Sequence, residues 1–547
     1  MNRFLSLVLA AGVSLSVSEA CNAQWSTDAD NNLSVADDAA DETLPRIART
    51  SDGGVYVAYL GNPGGGYNVY LQRLDAQGNE QWVHGGILIY DAGHSSTQTY
   101  EVTTDADDNA VIVYRADNNN PSGLSQVGVQ KVSPCGELLW GPTGKVVTSL
   151  TVSANAPQIC RTSDGNFAVG WSFQPSGQPS RCGIQKIDGI TGDNIWGAPV
   201  EIFEASRYVG FSDIQPGANG SVYVLWVRGS SANPITSSKA LYCQRFDSNG
   251  VAQLNSGNPV IVFNTTSVQN GYFPSMLPDG NGGVVFGWYE IGGSRLAYIQ
   301  HLLNDGTFKF ASPIANTGPT SGRIRISAGL GYNTSTGEYY LASEDSASPS
   351  QGNYAVIVQK FDSTGARLWG DNGVTVLPTG TGNQPSFTQV AVSGDSCIVM
   401  GFDSRSAVTR IVYAARVNAA TQTLDWSFEP SANVQDKGYL VSTATGDGGV
   451  ILAFQDGSFG TGDIDVQRVN QDSSLAGPAA GCAGDFDHDG DVDVADLFGF
   501  LDAWFANFST PACAALLPGN FDKDTDVDVA DLFGFLDAWF AQFNNCP

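Results

Sequence analysis

The chain has 547 residues, more than a single hydrophobic core normally serves, so we expect several domains or one long repeat array. Its formal net charge is −29, and residues 482–547 contribute thirteen Asp and one Lys to that charge. A surface of this sign repels phosphate backbones and anionic membranes, which excludes nucleic acid as a partner and favours cations.

Residues 1–23 have the pattern of a secretory signal peptide. Arg3 supplies the basic start, an apolar stretch follows, and the small residues around Ala23 offer a cleavage point before Gln24. The apolar stretch is too short to span a bilayer and no later stretch is long enough, so we expect no membrane span. A lipid anchor on Cys21 is the alternative.

The cysteine count fits an exported protein. Nine cysteines become eight when cleavage removes Cys21, and an even number permits disulfides whose pairing the spacing does not give. Cys482, Cys513 and Cys546 bracket two repeats in the tail. Without a C-x-x-C motif, we expect these cysteines to have structural roles.

Residues 24–474 carry one pattern that recurs every 48 to 63 residues. The units share a turn such as "TSDGG" and an apolar strand such as "VYVAYL". A third strand follows, which in six units ends in Gln plus a basic residue, and a final turn leads to a last strand that usually begins with an aromatic residue. Short β-branched runs between turn residues predict strands. Four strands per unit predict the blades of a β-propeller, and hence a mainly β fold.

The repeats number eight, which predicts an eight-bladed β-propeller, with seven blades as the alternative. The outer strands begin at Trp25, Trp82, Trp140, Trp196, Leu254, Phe308, Trp369 and Trp426. The series therefore starts with an outer strand, but it ends at Ser474 without one. We predict that the N-terminal strand completes the last blade, which closes the ring and covers a bare sheet edge.

The turn "IDGITGDNIW", from Ile187 to Trp196, combines an Asp, a Thr-Gly turn and a Trp, and "FDSTGARLW" is a looser version. These motifs resemble the tryptophan-docking repeat of quinoprotein-type eight-bladed propellers. The resemblance implies a Trp wedged between neighbouring blades, which concerns architecture and not chemistry. The adjacent-cysteine pair of alcohol-oxidising quinoproteins has no counterpart here, so a redox function is the least favoured hypothesis.

Chemical motifs are sparse in the repeat region. Four histidines occupy unrelated places, and there is no G-x-S-x-G motif. The innermost strand of each propeller blade lines the channel, and seven charged residues fall on these predicted strands: Arg46, Arg49, Glu101, Arg161, Asp213, Arg323 and Arg325. Mixed charges at a channel mouth fit an acidic sugar or a glycosidase or lyase site. The alternative is that they are solvated residues that fill the channel.

The tail contains two copies of an aspartate ladder, "DFDHDGDVDVAD" and "NFDKDTDVDVAD". A twelve-residue loop that wraps around Ca²⁺ offers oxygen ligands at positions 1, 3, 5, 7, 9 and 12. In the first copy these positions are Asp485, Asp487, Asp489, Asp491, Asp493 and Asp496. In the second copy they are Asn520, Asp522, Asp524, Asp526, Asp528 and Asp531. The spacing predicts two calcium ions.

A helix is expected to start near Val494 and another near Val529, because apolar residues recur there at helical spacing. The predicted apolar faces are Leu497, Phe498, Phe500, Leu501, Trp504 and Phe505 in the first copy and Leu532, Phe533, Phe535, Leu536, Trp539 and Phe540 in the second. Neither helix can bury such a face alone. We therefore predict a pseudo-twofold helix pair, a small all-α domain over residues 482–547 after a linker at 475–481.

A duplicated loop and helix with Asp at loop position 12 resembles the dockerin module of bacterial secreted proteins, over residues 482–547. The family implies attachment to a cohesin on a scaffold or cell-surface protein, hence a secreted, extracellular or cell-surface location. It also implies that loop positions 10 and 11 contribute to recognition. These positions are Val494, Ala495, Val529 and Ala530, which depart from the hydroxyl pair common in clostridial dockerins.

The second loop departs from the ideal calcium loop. Thr525 replaces the glycine of position 6, and Asn520 removes one negative charge, so we expect a weaker second site.

Two functional hypotheses remain for the propeller. The favoured one is a glycan- or protein-binding module displayed by the dockerin-like tail, and the alternative is a polysaccharide-degrading enzyme, because dockerins often carry glycoside hydrolases or lyases.

Overall fold

The computed structural model describes residues 25–94, 99–116, 124–148, 152–292, 295–318, 322–347, 353–380, 384–406, 409–475, 486, 492–508, 519–521 and 527–543. Residues 1–23 and most of the linker lie outside these ranges, so their predicted roles stay predictions. Of the described helices, none is long and apolar enough to span a bilayer.

The described residues form eight four-stranded antiparallel sheets, numbered here as blades one to eight. The first strands of the blades are β2 (Glu42–Arg49), β6 (Glu101–Thr104), β10 (Ala154–Arg161), β14 (Val209–Pro216), β18 (Met276–Pro278), β22 (Ile324–Asn333), β26 (Gln384–Ser393) and β30 (Lys437–Ala444). Each first strand contacts the first strand of the next blade, and β30 contacts β2, so these strands form a closed inner ring.

The other strands follow outward in each blade. The second strands are β3 (Val55–Gly61), β7 (Ala110–Ala116), β11 (Phe167–Phe173), β15 (Val222–Gly229), β19 (Val284–Tyr289), β23 (Glu338–Ser346), β27 (Ser396–Ser406) and β31 (Val450–Asp456). The third strands are β4 (Tyr67–Leu74), β8 (Gln126–Val132), β12 (Arg181–Ile187), β16 (Lys239–Phe246), β20 (Ala297–Leu302), β24 (Ala355–Phe361), β28 (Thr409–Val417) and β32 (Asp463–Val469). The outer strands are β5 (Ile87–His94), β9 (Lys145–Val146), β13 (Val200–Ile202), β17 (Val260–Phe263), β21 (Ile314–Ala315), β25 (Val374–Leu377), β29 (Leu424–Ser431) and, for blade eight, β1 (Leu33–Ala36).

The eight-bladed prediction is confirmed, and so is the closure. Strand β1 pairs antiparallel with β32, with Leu33 opposite Val466. The side chain of Asn32, just before β1, donates to the Gln467 side chain across the joint at 2.8 Å. The N-terminal strand thus covers the edge of β32 that would otherwise lack a partner.

A glutamine near the end of the third strand holds the outer strand in place in several blades. In blade three, the Gln185 side-chain oxygen accepts from the backbone N–H of Trp196 at 3.2 Å, and its amide donates to the Trp196 carbonyl at 3.1 Å. Gln130 and Gln359 make the same kind of clamp in blades two and six. Because these side chains are buried, each hydrogen bond satisfies a polar group that would otherwise be costly to bury.

The tryptophans that follow the turns join neighbouring blades, as the motif predicts. The Trp196 indole donates to the carbonyl of Ser248 in blade four at 2.9 Å. Trp25 donates in the same way to Ala76 across the closure between blades eight and one. A Cβ on Gly78, which has a φ of 87°, would lie 2.9 Å from the Trp25 ring, so the docking turn needs glycine for its backbone and for its space.

Two helices, α1 (Val494–Asn507) and α2 (Val529–Gln542), follow the aspartate ladders and begin at the residues the sequence predicts. Each helix starts with a capping box. The N-cap side chain, Asp493 or Asp528, accepts a backbone N–H of the helix. The side chain of the third helical residue, Asp496 or Asp531, accepts the N–H of the N-cap residue. The helices form a pair, with the rings of Phe500 and Phe535 stacked at 4.0 Å.

The predicted broad apolar faces are wrong in part. Phe500, Trp504, Phe535 and Trp539 are buried between the helices. By contrast, Phe498 and Phe505 of α1 and Phe533 and Phe540 of α2 are 62–71% exposed. Each helix has only one helical neighbour in this pair, so a narrow stripe is buried and the flanking aromatic residues remain outside it.

The closure generates a stability prediction. Val35 is fully buried in β1, so Val35→Asp places an unpaired carboxylate in the joint between blades eight and one. We expect destabilisation of at least about 3 kcal/mol and a clear fall in Tm, measured by calorimetry on the full chain. The matched control is Val146→Asp in the outer strand β9, where the side chain is 53% exposed. An equal Tm for the two variants would contradict the closure.

Candidate functional site

Three of the seven charged residues predicted for the channel lie together on the inner ring. The Arg46 side chain of blade one faces Glu101 of blade two, with Nε and Oε2 3.6 Å apart. The Arg46 guanidinium also lies over the ring of Tyr100, 5.7 Å from its centroid. The desolvation of the site raises the pKa of Glu101, and the Arg46 charge opposes this rise.

Asp213 of blade four is the second acid of this group. The carboxylate is buried and accepts backbone N–H groups from Ile214 at 2.7 Å and from Met276 of blade five at 2.6 Å. Burial raises the pKa of Asp213 to about 7, and the charge of Glu101 adds to that rise. The channel wall thus holds an arginine and two carboxyl groups with raised pKa values, a combination typical of functional sites.

Backbone irregularities place these side chains. The inner strand β2 has a bulge after Thr43, where Leu44 has a φ of 54°, and Arg46 follows it directly. A second irregularity, between Phe211 and Asp213, precedes the acid on β14. Bulges of this kind change the direction of a side chain, and they are common next to active sites.

Inner-strand bulges recur around the ring. In five blades, two residues of the first strand face one residue of the second strand, and the first of the two is a non-glycine residue with positive φ. These residues are Leu44, Ala156, Ser327, Phe387 and Tyr439. Such a conformation is uncommon for residues other than glycine, and a residue's identity alone does not reveal it.

Two of these bulge residues, Phe387 and Tyr439, are aromatic, and the sequence did not predict them because only charged side chains were expected in the channel. Phe387 of β26 is 47% exposed, and its ring meets the ring of Tyr439 on β30 edge to face at a centroid distance of 6.4 Å. Aromatic surface beside a few polar groups is typical of ligand sites. Neither Phe387 nor Tyr439 lies in a sequence motif that would have predicted a place in a ligand site.

The other four predicted channel residues do not join this group. Arg49 and Arg161 are exposed at the ends of β2 and β10, at the opposite end of the strands from Glu101. Arg323 and Arg325 both pair with Asp345. The Arg325 guanidinium donates to the carbonyls of Asn316 and Asn372, so it lies between blades five and six, and its prediction as a channel residue is wrong.

The helix pair carries the residues that were predicted as calcium ligands and as partner contacts. The carboxylate of Asp496, at loop position 12, accepts the backbone N–H of Phe486 at 2.6 Å and that of Asp493 at 2.7 Å. Asp531 makes the equivalent bonds to Phe521 and Asp528. Each carboxylate therefore ties the start of its loop to the helix that follows. The Asp496 and Asp531 side chains are buried.

The two copies also bind each other. The Trp504 indole donates to the carbonyl of Asp528 at 2.6 Å, and the Trp539 indole donates to that of Asp493 at 2.6 Å. The proposed partner-contact residues, Val494, Ala495, Val529 and Ala530, are exposed at the starts of the helices. Asn520, at position 1 of the second loop, is buried. The remaining predicted ligands, Asp485, Asp487, Asp489, Asp491, Asp522, Asp524 and Asp526, lie outside the described residues.

Among the described residues, no group of three or more His, Cys, Asp or Glu side chains could hold a metal ion. Four described cysteines, Cys160, Cys182, Cys243 and Cys397, are buried free thiols, and burial raises their pKa values. Cys135 is disulfide-bonded. The cysteines of the tail lie outside the described residues.

No protein-family model and no curated protein matches this chain. Among solved structures, a quinohemoprotein alcohol dehydrogenase from Comamonas testosteroni is similar with a TM-score of 0.42 at 13% identity, over 84% of this chain and 82% of that one. A polysaccharide lyase of family PL25, an ulvan lyase, has a TM-score of 0.41 at 11% identity, over 74% and 96%. A puromycin hydrolase has a TM-score of 0.40 at 13% identity, over 80% of this chain but 61% of its own. At these identities the likeness concerns the propeller fold alone.

Asp213 generates a pH prediction. Its folded pKa, about 7, lies above the ordinary value of 3.8, so the unfolded chain loses this proton first as the pH rises. The contribution of Asp213 to the free energy of unfolding is therefore full below about pH 4. Between about pH 4 and pH 7 it falls by about 1.4 kcal/mol per pH unit. Asp213→Asn cannot titrate, so its Tm should fall less steeply than that of the wild type between pH 4 and 7. Parallel Tm curves for the two proteins would contradict the raised pKa.

Proposed function

We propose that this protein is a secreted or cell-surface β-propeller that binds a glycan at its channel and is attached to a cohesin-type partner by its C-terminal helix pair. The observation that carries the attachment is the symmetry of that pair. Both position-12 carboxylates close their loops in the same way, and each helix tryptophan bonds the loop of the other copy. A duplicated loop-and-helix unit with this closure is the architecture implied by the dockerin resemblance.

Two calcium ions are part of the proposal. The donor set of the first ladder consists of carboxylate oxygens, and the second adds the amide oxygen of Asn520; hard cations prefer both kinds of oxygen. Asp496 and Asp531 lie buried at the point where loop and helix meet, and in this proposal each is the ligand that ends its loop. The bound ion would neutralise the crowded carboxylates and order the tail. Val494, Ala495, Val529 and Ala530 then present two similar exposed patches to the partner.

The channel supports the glycan part of the proposal. The paired Phe387 and Tyr439 rings offer an apolar platform, while Arg46 and Glu101 offer a charged donor and an acceptor for sugar hydroxyls. The alternative, a polysaccharide-degrading enzyme, rests on the raised pKa values of Glu101 and Asp213, because a general acid must hold its proton near neutral pH. Binding is favoured because Asp213 is buried and its oxygens already accept backbone N–H groups.

The calcium prediction is tested by isothermal titration of the full chain. We expect two sites, with the second loop weaker. Asp496→Ala should remove the first site and Asp531→Ala the second, because each variant loses the buried carboxylate that ends its loop. Asp502→Ala is the control, since it removes the same charge from an exposed helix position and should keep both sites. If calcium gives no heat of binding, the attachment proposal fails.

The channel prediction is tested by a glycan array and a reducing-sugar assay on the full chain. We expect binding without release of new reducing ends, and we expect Glu101→Gln to weaken binding by about tenfold through the loss of one charged hydrogen bond. Arg161→Gln, at the opposite end of the inner strands, is the control and should bind as the wild type does. Turnover that Glu101→Gln or Asp213→Asn abolishes would instead establish the enzyme alternative.

A further inference from the structure

A polar cleft opens between blades five and six, apart from the Arg46–Glu101 group. It is a cavity of about 510 Å³ lined by Arg323, Arg325, Asp345, Asp371, Asn372 and Thr375. Arg325 lies at the start of β22 and Arg323 directly precedes that strand. Asp345 lies at the end of β23, and Thr375 lies on the outer strand β25. The cleft therefore runs from the inner ring towards the outer edge of blade six.

The cleft has an excess of positive charge in a strongly acidic chain. Asp345 is the single carboxylate that pairs with both Arg323 and Arg325. Asp371 lies 3.5 Å from the Arg367 guanidinium, so its charge is balanced separately. The four charged side chains that line the cavity, two arginines and two aspartates, sum to zero. The Arg367 guanidinium beside Asp371 brings the local balance to one unit of positive charge, although the whole chain has a net charge of −29.

The two arginines have different roles. Arg325 is 1% exposed, and its bonds to Asp345, Asn316 and Asn372 fix it in the wall. The Arg323 side chain is 29% exposed and lines the cavity. Arg325 therefore positions Asp345, and Asp345 in turn orients the guanidinium of Arg323 at the cavity surface.

Buried polar groups beside Arg325 lack protein partners. The side-chain oxygen of Asn316 and the hydroxyl of Thr317 are buried without a hydrogen bond, and both residues are at most 1% exposed. They belong to the segment whose carbonyl binds Arg325 and whose next residue, Gly318, donates to the Asp371 carbonyl. Buried polar atoms normally have a partner, so these two atoms leave hydrogen-bonding capacity behind Arg325, although neither residue lines the cavity itself.

We propose that the cleft between blades five and six binds an anionic sugar residue, with Arg323 as the counter-charge for a uronate carboxylate or a sulfate ester. Exposed Thr375 and Asn372 lie where they can bind the sugar hydroxyls. A planar guanidinium binds either anion through paired hydrogen bonds. This inference rests on the proposed glycan-binding function and names the class of glycan.

The test measures binding of three oligosaccharides to the calcium-loaded full chain: an oligogalacturonate, a sulfated galactan oligomer and the neutral galactan oligomer of equal length. We expect an anionic oligomer to bind at least about tenfold more tightly than the neutral one. The anionic oligomer that binds more tightly shows whether the cleft prefers a carboxylate or a sulfate ester. Arg323→Gln should weaken that binding by about tenfold or more, and Thr375→Glu, an exposed substitution that puts a like charge in the cleft, should do the same.

Arg228→Gln is the matched control, because Arg228 also binds one carboxylate, Glu204, through two nitrogens at a half-buried position. It should change the affinity by less than about twofold. Equal affinity for the neutral oligomer, or an unchanged Kd in both Arg323→Gln and Thr375→Glu, would overturn the assignment of the cleft. If those variants bind as the wild type does while Glu101→Gln binds more weakly, the glycan-binding proposal stands and the cleft assignment alone fails. If no glycan binds at all, both fail.

Discussion

The pairing of β1 with β32 is the constraint on which the propeller depends. Each blade packs its apolar faces against two neighbours, so an open ring would leave two faces and a sheet edge in water. The closure joins residues more than 430 positions apart, since Asn32 bonds Gln467. It also brings Val35 and Val57 into one core with Ile451 and Val466. The first and last blades are thereby held as firmly as those in the middle of the chain.

The three charged residues of the channel wall come together only because the ring is closed and regular. Arg46, Glu101 and Asp213 come from blades one, two and four, and Met276 of blade five holds the Asp213 carboxylate. The glutamine clamps hold the outer strand within a blade, and the docked tryptophans join one blade to the next, so these side chains keep their spacing. The five inner-strand bulges add strained backbone at the same level of the ring, which the surrounding blades must stabilise. Strain that persists in a rigid frame is typical of a binding site.

The helix pair is a small unit with a small apolar core, and other interactions stabilise it. Two short helices bury one stripe each, centred on Phe500 and Phe535, and they compensate with reciprocal tryptophan bonds and capping boxes. The exposed phenylalanines outside that stripe give the pair an apolar surface. A metal ion that joins loop to helix would add the stability that so small a core lacks.

The sequence by itself determined the number of blades, the closure by the N-terminal strand, the docking tryptophans and the starts of both helices. These features repeat or depend on local patterns of a few residues, and such patterns can be recognised in the sequence without the structure. Only the tertiary structure decided which side chains meet. It placed Arg325 between blades five and six and not in the channel, because its bonds to Asp345, Asn316 and Asn372 direct the side chain in a way that strand alternation does not predict. It likewise placed Phe387 in the left-handed region and left Phe498 exposed, because long-range packing settles both the backbone strain a residue tolerates and the face it buries.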